Sequence, residues 1–231
     1  MKTTEKFNEP IKVLDHGLVR LIEHMGSDLS IVRNARVSYN AEIRTGEDEG
    51  KDVKLLNYLV KNNHTSPFES CLFTFEVKAP IFVLRQWHRH RTWSFNEISA
   101  RYAELPEEFY VPEMAQITGQ STSNKQMRTN EIHPLAERMR QAIYSAGEGA
   151  FATYKELIAA GCPRELARSV LPVGTYSHMF ATVDLHNLMH FLKLRLHSHS
   201  QYEIRVYAEA MLQLIEPLVP HTVAAFREHK L

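Results

Sequence analysis

The sequence is short of cysteine, of long apolar runs and of net charge, and each shortage excludes a class of protein. Its two cysteines, Cys71 and Cys162, are too few for a disulfide framework and lack the spacing of metal ligands. No stretch approaches the roughly 18 consecutive apolar residues of a membrane span, and residues 1–17 lack the apolar segment of a secretory signal. We therefore expect a cytoplasmic protein without a membrane partner.

The charges of the chain cancel, since 27 Lys and Arg residues face 27 Asp and Glu residues. A neutral protein has no overall field that would draw it onto nucleic acid, so any anion must be bound by a local cluster of cations. The length of 231 residues and the hydrophobic content of 44% are ordinary for a globular protein. Without repeats or linkers, the sequence predicts one domain over residues 1–231.

The apolar periodicity predicts more helix than strand in irregular alternation, which is typical of an α+β protein. Alternating apolar residues predict strands at 11–24, with a break at His16–Gly17, at 72–77 and at 174–183. Residues 112–130 are rich in Gln, Ser, Thr and Asn, which predicts a long surface loop or a mobile lid. The predicted helices lie at 27–39, 52–62, 81–89, 133–160, 184–197, 201–215 and 222–229, and a further helix is predicted to begin at Pro163 and to carry residues 164–168.

The densest cluster of functional side chains lies in residues 89–102, which hold three arginines, a histidine, a carboxylate and two serines. A guanidinium is always charged and presents a planar fork of donors that suits phosphate. Because Trp93, Phe95 and Tyr102 alternate with the charges, the segment is expected to line a pocket rather than to form a solvated face. It begins at the end of the predicted helix 81–89 and continues into a predicted loop at 94–99, where binding residues are common.

The predicted helix 184–197 carries two further candidate groups. His186 and His190 are spaced i, i+4 and could bind zinc, but a solvated polar face is the better interpretation because the glutamate of a zinc-hydrolase motif is missing. Arg195 lies roughly 140° around the helix from His190, so the two cannot share one narrow stripe. Either the helix ends before Arg195, or its faces serve sites that are shared between subunits. An arginine in this apolar setting usually needs a partner or a ligand.

The glycines of residues 147–152 match a loose dinucleotide-binding fingerprint. That fingerprint works only between a strand and a helix, because the phosphates must reach the helix N-terminus. Here it lies inside a predicted helix, so we do not expect it to bind a nucleotide.

Residues 89–102 match the pattern RHRxxSxNExSxRY at every specified position, and this pattern is the signature of the flavin-dependent thymidylate synthases. Four other segments resemble conserved blocks of that family, so the resemblance covers most of the chain; they are 64–69, 79–87, 163–168 and 194–201. The resemblance implies an α+β fold with a central, mostly antiparallel sheet packed with helices. It also implies a homotetramer whose active sites lie at subunit junctions.

The family resemblance implies a reductive methylation. In that family FAD takes a hydride from NADPH, and the methylene group of 5,10-methylenetetrahydrofolate becomes the methyl group that converts dUMP to dTMP, with release of tetrahydrofolate. No protein nucleophile attacks the uracil, so neither Cys71 nor Cys162 is required. The resemblance implies no metal.

The resemblance also assigns site residues by position. Arg195 matches the catalytic arginine that polarises the pyrimidine and favours its ionised form, which a nearby cation would do. The implied dUMP-binding residues are Gln86, Trp87, His88, Arg89, Glu97, Ile98, Ser99, Ala100, Arg101, Arg168 and Arg195. The implied FAD-binding residues are Ser66, Arg89, His90, Arg91, Glu97, Asp184, Leu185, His186 and His190, with His64, His199 and Gln201 near the site. Asp184 departs from the expected asparagine, and a carboxylate beside an anionic cofactor is unfavourable unless it is paired.

Two other functions stay open on the residues alone. A nucleotide- or RNA-binding module would use the arginines of 89–102 for phosphates and Trp93, Phe95 and Tyr102 for base stacking, although the neutral net charge argues against it. A zinc hydrolase would use His186 and His190.

Overall fold

Strand pairing is antiparallel throughout the computed structural model, which describes residues 9–39, 46 and 48–231. The strands are β1 (Ile11–Val13), β2 (Gly17–Met25), β3 (Leu72–Pro80), β4 (Ser94–Glu97), β5 (Thr118–Gln120), β6 (Arg128–Ile132) and β7 (Tyr176–Asp184). In the described part of the chain they form a five-stranded sheet in the order β1-β2-β3-β7-β4 and a separate β5-β6 hairpin. The expected α+β fold with a central antiparallel sheet is confirmed. Residues 1–8, at the start of the predicted single domain, lie outside the described residues.

Helices pack on the apolar face of the central sheet and around a separate small core. They are α1 (Asp28–Arg36), α2 (Glu49–Lys61), α3 (Ile81–Trp87), α4 (Ala136–Ala159), α5 (Arg164–Ala167), α6 (Leu185–Arg195), α7 (Tyr202–Ile215) and α8 (Pro220–Lys230). Of these, α4 and α5 belong to the small core, which lies around Phe109, Phe151 and Tyr154. In β3, Phe73, Phe75 and Val77 are fully buried while the residues between them are partly exposed, as expected for a strand with one face in the core. None of the helices in the described ranges combines the length and the apolar character that crossing a bilayer requires.

An aromatic cluster joins the ends of α3 and α6. The indole of Trp87 is fully buried and stacks on Phe191 with 4.9 Å between ring centroids, and Trp93 packs edge-on against Trp87 at 5.7 Å. Burying such large rings stabilises a contact by several kcal/mol, on the order of 3 to 5 for an aromatic truncated to alanine. The cluster therefore fixes the last turns of α3 and α6 relative to each other.

Residues 94–97 form an edge strand, so the prediction of a loop there was wrong. The strand β4 pairs with β7 from Ser94 opposite Thr182 to Glu97 opposite Met179. Four residues with a mixed pattern carry too weak a local signal for a strand, and the pairing partner lies far along the chain. The signature segment thus begins at the end of α3 and continues into the edge of the central sheet.

Residues 112–130 contain the short 3-10 helix Met114–Gln116, strand β5 and the start of β6, so they form part of a hairpin rather than the predicted long surface loop or mobile lid. The hairpin β5-β6 is held against α7 by a bidentate pair in which Arg128 Nη2 donates to both carboxylate oxygens of Glu203, at 2.8 and 2.6 Å. Burial alone raises the pKa of Glu203, but the hydrogen bonds and charge of Arg128 outweigh it and leave the pKa below its usual value. This ion pair joins residues that are 75 positions apart, which local sequence patterns do not reveal.

Helix α4 has one buried face and one apolar exposed face. Gly147 lies on the buried face, where a Cβ atom would come within 2.3 Å of the ring of Phe109. The glycine therefore serves close packing, in agreement with our rejection of a dinucleotide fingerprint. The other face continues the edge of the hairpin as a row of exposed apolar side chains, called the α4 stripe below: Ile132, Leu135, Met139 and Ile143.

Candidate active site

Arg195 is the last residue of α6, and its guanidinium is held by two groups from the end of α3. Its Nε donates a hydrogen bond to Nε2 of His90 at 3.0 Å, and its Nη2 donates to the backbone oxygen of Gln86 at 3.1 Å. The helix thus ends at Arg195 rather than before it. His190 lies on another side of α6, yet its ring centroid is 6.1 Å from that of His90. His90 therefore lies close to both Arg195 and His190, although these two residues lie on different sides of α6.

The charge of Arg195 has no counter-ion within the described ranges, where it forms no ion pair with a carboxylate within 4 Å. Burial lowers the pKa of Arg195, but a guanidinium keeps its proton in proteins. His90 is only 7% exposed, and its burial, the charge of Arg195 and the neighbouring His190 lower its pKa to about 4. At neutral pH His90 is therefore uncharged, accepts with Nε2 and carries its proton on Nδ1.

The lowered pKa of His90 predicts a loss of stability in acid. Since an exposed histidine has a pKa of roughly 6.5, the unfolded chain binds a proton between about pH 6.5 and 4 that the folded chain does not. The free energy of unfolding should be insensitive to His90 above about pH 6.5 and fall by roughly 3 kcal/mol as the pH approaches 4. Urea unfolding of the wild type and His90→Gln at pH 7 and 4.5, at one protein concentration, measures this. The glutamine variant should lose roughly 2 to 3 kcal/mol less; equal losses would contradict the assignment.

A cleft of about 880 Å³, called the arginine cleft below, opens beside this cluster. Its lining includes Gln86, Arg195, His199 and Gln201. Gln201 precedes the first turn of α7, and its Oε1 accepts a hydrogen bond from Nε2 of Gln86 at 2.5 Å. The structure thus brings together four of the predicted site residues, one from α3 and three from residues 195–201.

A second, smaller cleft of about 140 Å³, called the histidine cleft, adjoins the first. His64, His186 and His190 line it, and Lys193 and Lys230 line both clefts. Its floor is apolar and is formed by Leu59, Val60, Phe68, Met189 and Phe226. An apolar floor with histidine and lysine side chains at the rim suits a flat ring system that carries negative charge.

The later residues of the signature form a third group, on β4 and the turn after it. Glu97 Oε1 accepts a hydrogen bond from Ser177 Oγ at 2.5 Å, and its Oε2 lies 3.9 Å from Nε2 of His88. Arg101 and Arg168 converge on Glu165: Nε of Arg101 lies 3.5 Å from its carboxylate, and Nε of Arg168 donates to its backbone oxygen at 3.3 Å. Neither arginine lines the arginine cleft or the histidine cleft. Within one protomer the signature is therefore divided between two places.

The remaining predicted residues differ in what they can contact. The side chains of Trp87 and Leu185 are fully buried and Ala100 nearly so, so these three could reach a ligand only through backbone atoms. The side chains of Arg89, Arg91, Ile98, Ser99 and Ser66 are exposed or partly exposed and lie outside the arginine and histidine clefts. Sequence reasoning assigned no role to Ser177, Glu165 or Lys230, and no local pattern marks them.

Both carboxylate oxygens of Asp184 accept hydrogen bonds, so this carboxylate has the partners that it would need beside an anionic cofactor. It is the N-cap of α6, where Oδ1 accepts from the backbone N of Asn187 at 2.9 Å and Oδ2 accepts from the side-chain Nδ2 of Asn187 at 2.6 Å. A capping carboxylate also interacts favourably with the helix dipole. Its negative charge therefore serves the helix that carries His186, His190 and Arg195.

The described residues contain no group of three or more His, Cys, Asp or Glu side chains that could hold a metal ion. His186 and His190 instead lie in the histidine cleft with Lys193. A nearby ammonium group disfavours a divalent cation, because like charges repel.

Comparison with known proteins places these features in one family. The family model described as "Thymidylate synthase complementing protein" matches residues 20–221. The flavin-dependent thymidylate synthase of Treponema denticola is 46% identical over 225 residues, covering 96% of this chain and 84% of that relative. The protein of the same name from Rickettsia conorii is 45% identical over 237 residues, covering 96% and 80%.

Two solved structures share the fold. The UMP/dUMP methylase PolB from Streptomyces cacaoi bound with 5-Br dUMP superposes with a TM-score of 0.87 at 39% identity, covering 95% of this chain and 98% of that one. The same methylase bound with 5-Br UMP has a TM-score of 0.84 at 38% identity, covering 95% and 97%.

Proposed function

This chain belongs to the flavin-dependent thymidylate synthase family and is an enzyme that makes thymidylate with a flavin, and we propose that the flavin is FAD, the reductant NADPH and the carbon donor 5,10-methylenetetrahydrofolate. The substrate is then dUMP, and the products are dTMP and tetrahydrofolate. One observation supports this most directly. Arg195, whose positive charge is not balanced by a carboxylate in the described residues, lines a cleft together with Gln86, Gln201 and His199. The proposal includes the cytoplasmic location predicted from the sequence.

In this proposal Arg195 acts on the pyrimidine ring. A fixed cation beside the ring lowers the free energy of negative charge that develops there during the reaction, and a partly buried site strengthens the effect because water screens it less. Gln86 and Gln201 restrain each other through their 2.5 Å hydrogen bond and offer amide groups to the same ligand. The phosphate of dUMP takes charge-assisted hydrogen bonds from arginines of the signature segment, with Arg89, Arg101 and Arg168 as the candidates.

The histidine cleft fits part of a flavin. When bound, FAD supplies the hydride transfer that this chain's own side chains cannot perform. The apolar floor would hold a flat ring, and His64, His186, His190 and the adjoining lysines would face its polar edges and anionic tail. A volume of about 140 Å³ lies below the range of pockets that enclose a whole cofactor. A second protomer would therefore contribute the rest of the site.

The division of the signature also favours a homotetramer with composite sites. Arg101 and Arg168 meet at Glu165, away from the clefts that contain Arg195 and His190. A dUMP molecule that uses all of these arginines would need them from different protomers. The α4 stripe offers an apolar surface for such contacts, since Ile132 is 55% and Leu135 51% exposed, and contiguous exposed apolar side chains usually mark an interface.

The reaction itself is the test of the proposed function. Purified protein should be yellow, and with dUMP, NADPH and 5,10-methylenetetrahydrofolate it should form dTMP and tetrahydrofolate. Adding dUMP should change the visible spectrum of the flavin, because the two ligands share one composite site. Protein that binds no FAD and forms no dTMP would refute the proposal.

A second candidate substrate follows from the structural relative. That protein is a UMP/dUMP methylase, so this chain could methylate UMP as well. The relatives with 45 and 46% identity are named thymidylate synthases, and we expect kcat/KM to be higher for dUMP than for UMP. A parallel assay of both nucleotides distinguishes the two specificities, and a preference for UMP would reverse the assignment.

A further inference from the structure

On the basis of the proposed thymidylate synthesis, we propose that His90 is a positioning residue for Arg195: its neutral imidazole, together with the backbone oxygen of Gln86, holds the guanidinium in place without sharing its charge. Two of the five N–H donors of an arginine are used by these contacts. Three donors are then left for a ligand in the arginine cleft, which Arg195 lines.

The packing around His90 makes it suitable for this role. Its ring contacts Phe191 edge-on with 5.0 Å between ring centroids, and its backbone N donates to the backbone oxygen of Trp87 at 2.8 Å. Trp87 itself is fully buried between α3 and α6. The imidazole is therefore fixed on a rigid support, as a residue that orients a catalytic group must be.

The neutrality of His90 decides what its hydrogen bond does. A carboxylate at this place would hold the guanidinium equally well but would neutralise its field, because an ion pair cancels most of the charge seen by a third group. A neutral acceptor fixes Arg195 and leaves its positive charge for the substrate. The titratable groups that face His90 are Arg195 and His190, and both favour its uncharged form. The arrangement therefore persists throughout the neutral pH range.

Three substitutions of His90 distinguish its effect on the orientation of Arg195 from its effect on the charge of Arg195. His90→Gln can place an amide oxygen near the position of Nε2 and keeps a neutral acceptor; His90→Leu removes the acceptor; His90→Glu provides an acceptor that carries charge. We expect kcat for dTMP formation to fall about 10- to 100-fold in the leucine variant and to stay within about threefold of the wild type in the glutamine variant. The glutamate variant should be at least as slow as the leucine variant although it holds Arg195. The KM for dUMP should change much less than kcat, since the lost interaction is strongest in the transition state.

The controls test whether His90 merely supports the fold. His221→Leu replaces a partly exposed histidine whose ring lies 3.8 Å from Glu49 and which lines neither cleft, and this variant should retain wild-type turnover. Crystal structures give a readout that does not depend on activity: Arg195 should occupy one conformation in His90→Gln and several in His90→Leu. If wild-type enzyme forms no dTMP, the proposed function fails, whereas the conformations of Arg195 still test the role of His90.

Four results would overturn the inference. Equal losses of kcat in the glutamine and leucine variants would show that only packing matters. A fully active glutamate variant would show that the uncompensated charge is not needed. Loss of flavin from the leucine variant, with restored turnover when FAD is added, would show that His90 serves the cofactor instead. An unchanged Arg195 conformation in the leucine variant would show that His90 does not position it.

Discussion

Replacing Arg195 with alanine should abolish most of the turnover while the protein keeps its fold and its flavin. The side chain lies at the end of α6 and lines the arginine cleft, so its loss leaves no large cavity in the core. Removing one preorganised electrostatic group typically lowers kcat about 10²- to 10³-fold. Since the charge of Arg195 is not compensated by a carboxylate in the described residues, we expect a loss at the upper end of that range.

Steady-state kinetics, flavin absorbance and thermal unfolding of Arg195→Ala measure the three parts of this expectation. Arg195→Lys keeps the charge but not the planar fork, and it should lie between alanine and the wild type. Arg227→Ala is a matched control, because Arg227 is an exposed arginine that pairs with Glu216 on the surface. Normal turnover in Arg195→Ala would show that the catalytic arginine is another residue.

Adding two negative charges to the α4 stripe should dissociate the proposed homotetramer and remove activity. Met139 and Ile143 lie one helical turn apart on α4 and are 38% and 42% exposed. In an interface their apolar surface would be buried, and each glutamate would have to lose its hydration there without a partner. Because the proposed sites combine residues of several protomers, a dissociated Met139→Glu/Ile143→Glu variant should form dTMP at less than about a hundredth of the wild-type rate.

Light scattering after size-exclusion chromatography gives the assembly state, and circular dichroism gives the fold of the separated protomer. The double variant Gln141→Glu/Ala152→Glu is a suitable control, because it adds the same charge to α4 at exposed positions outside the stripe. It should remain tetrameric and active. A Met139→Glu/Ile143→Glu protein that stays tetrameric would place the interface elsewhere, and a fully active monomer would refute the composite site.

The elements that could be predicted from the sequence are those with a strong local pattern. Helices α4 and α7 follow from apolar spacing over three or more turns, and Gly161, with a φ of 81°, ends the first of them as its sequence position suggests. Strand β4 could not be predicted, since it has four residues and depends on its pairing with β7. The hairpin β5-β6 was missed for the same reason: the ion pair that holds it joins Arg128 to a residue 75 positions away.

For the site, as for the fold, the sequence predicted which residue types are present but not how they are arranged. The signature predicted binding residues within Arg89–Tyr102 through the chemistry of its side chains, and the resemblance added Arg195 as a predicted catalytic residue. It did not reveal that Arg195 bonds to His90, 105 positions away, or that Nε of Arg101 lies 3.5 Å from the carboxylate of Glu165. Nor could it show that Asp184 is occupied as a helix cap.

The sequence by itself determined the family of this protein, its broad fold class and the kinds of side chain that its chemistry needs. These properties depend on residue identity and short spacing, which the chain carries locally. Only the tertiary structure decided which charged side chains of the described residues have a partner of opposite charge and which do not. Pairing depends on distances between groups that are remote in sequence, so it was the packing of α3 against α6 that left the charge of Arg195 beside a neutral histidine.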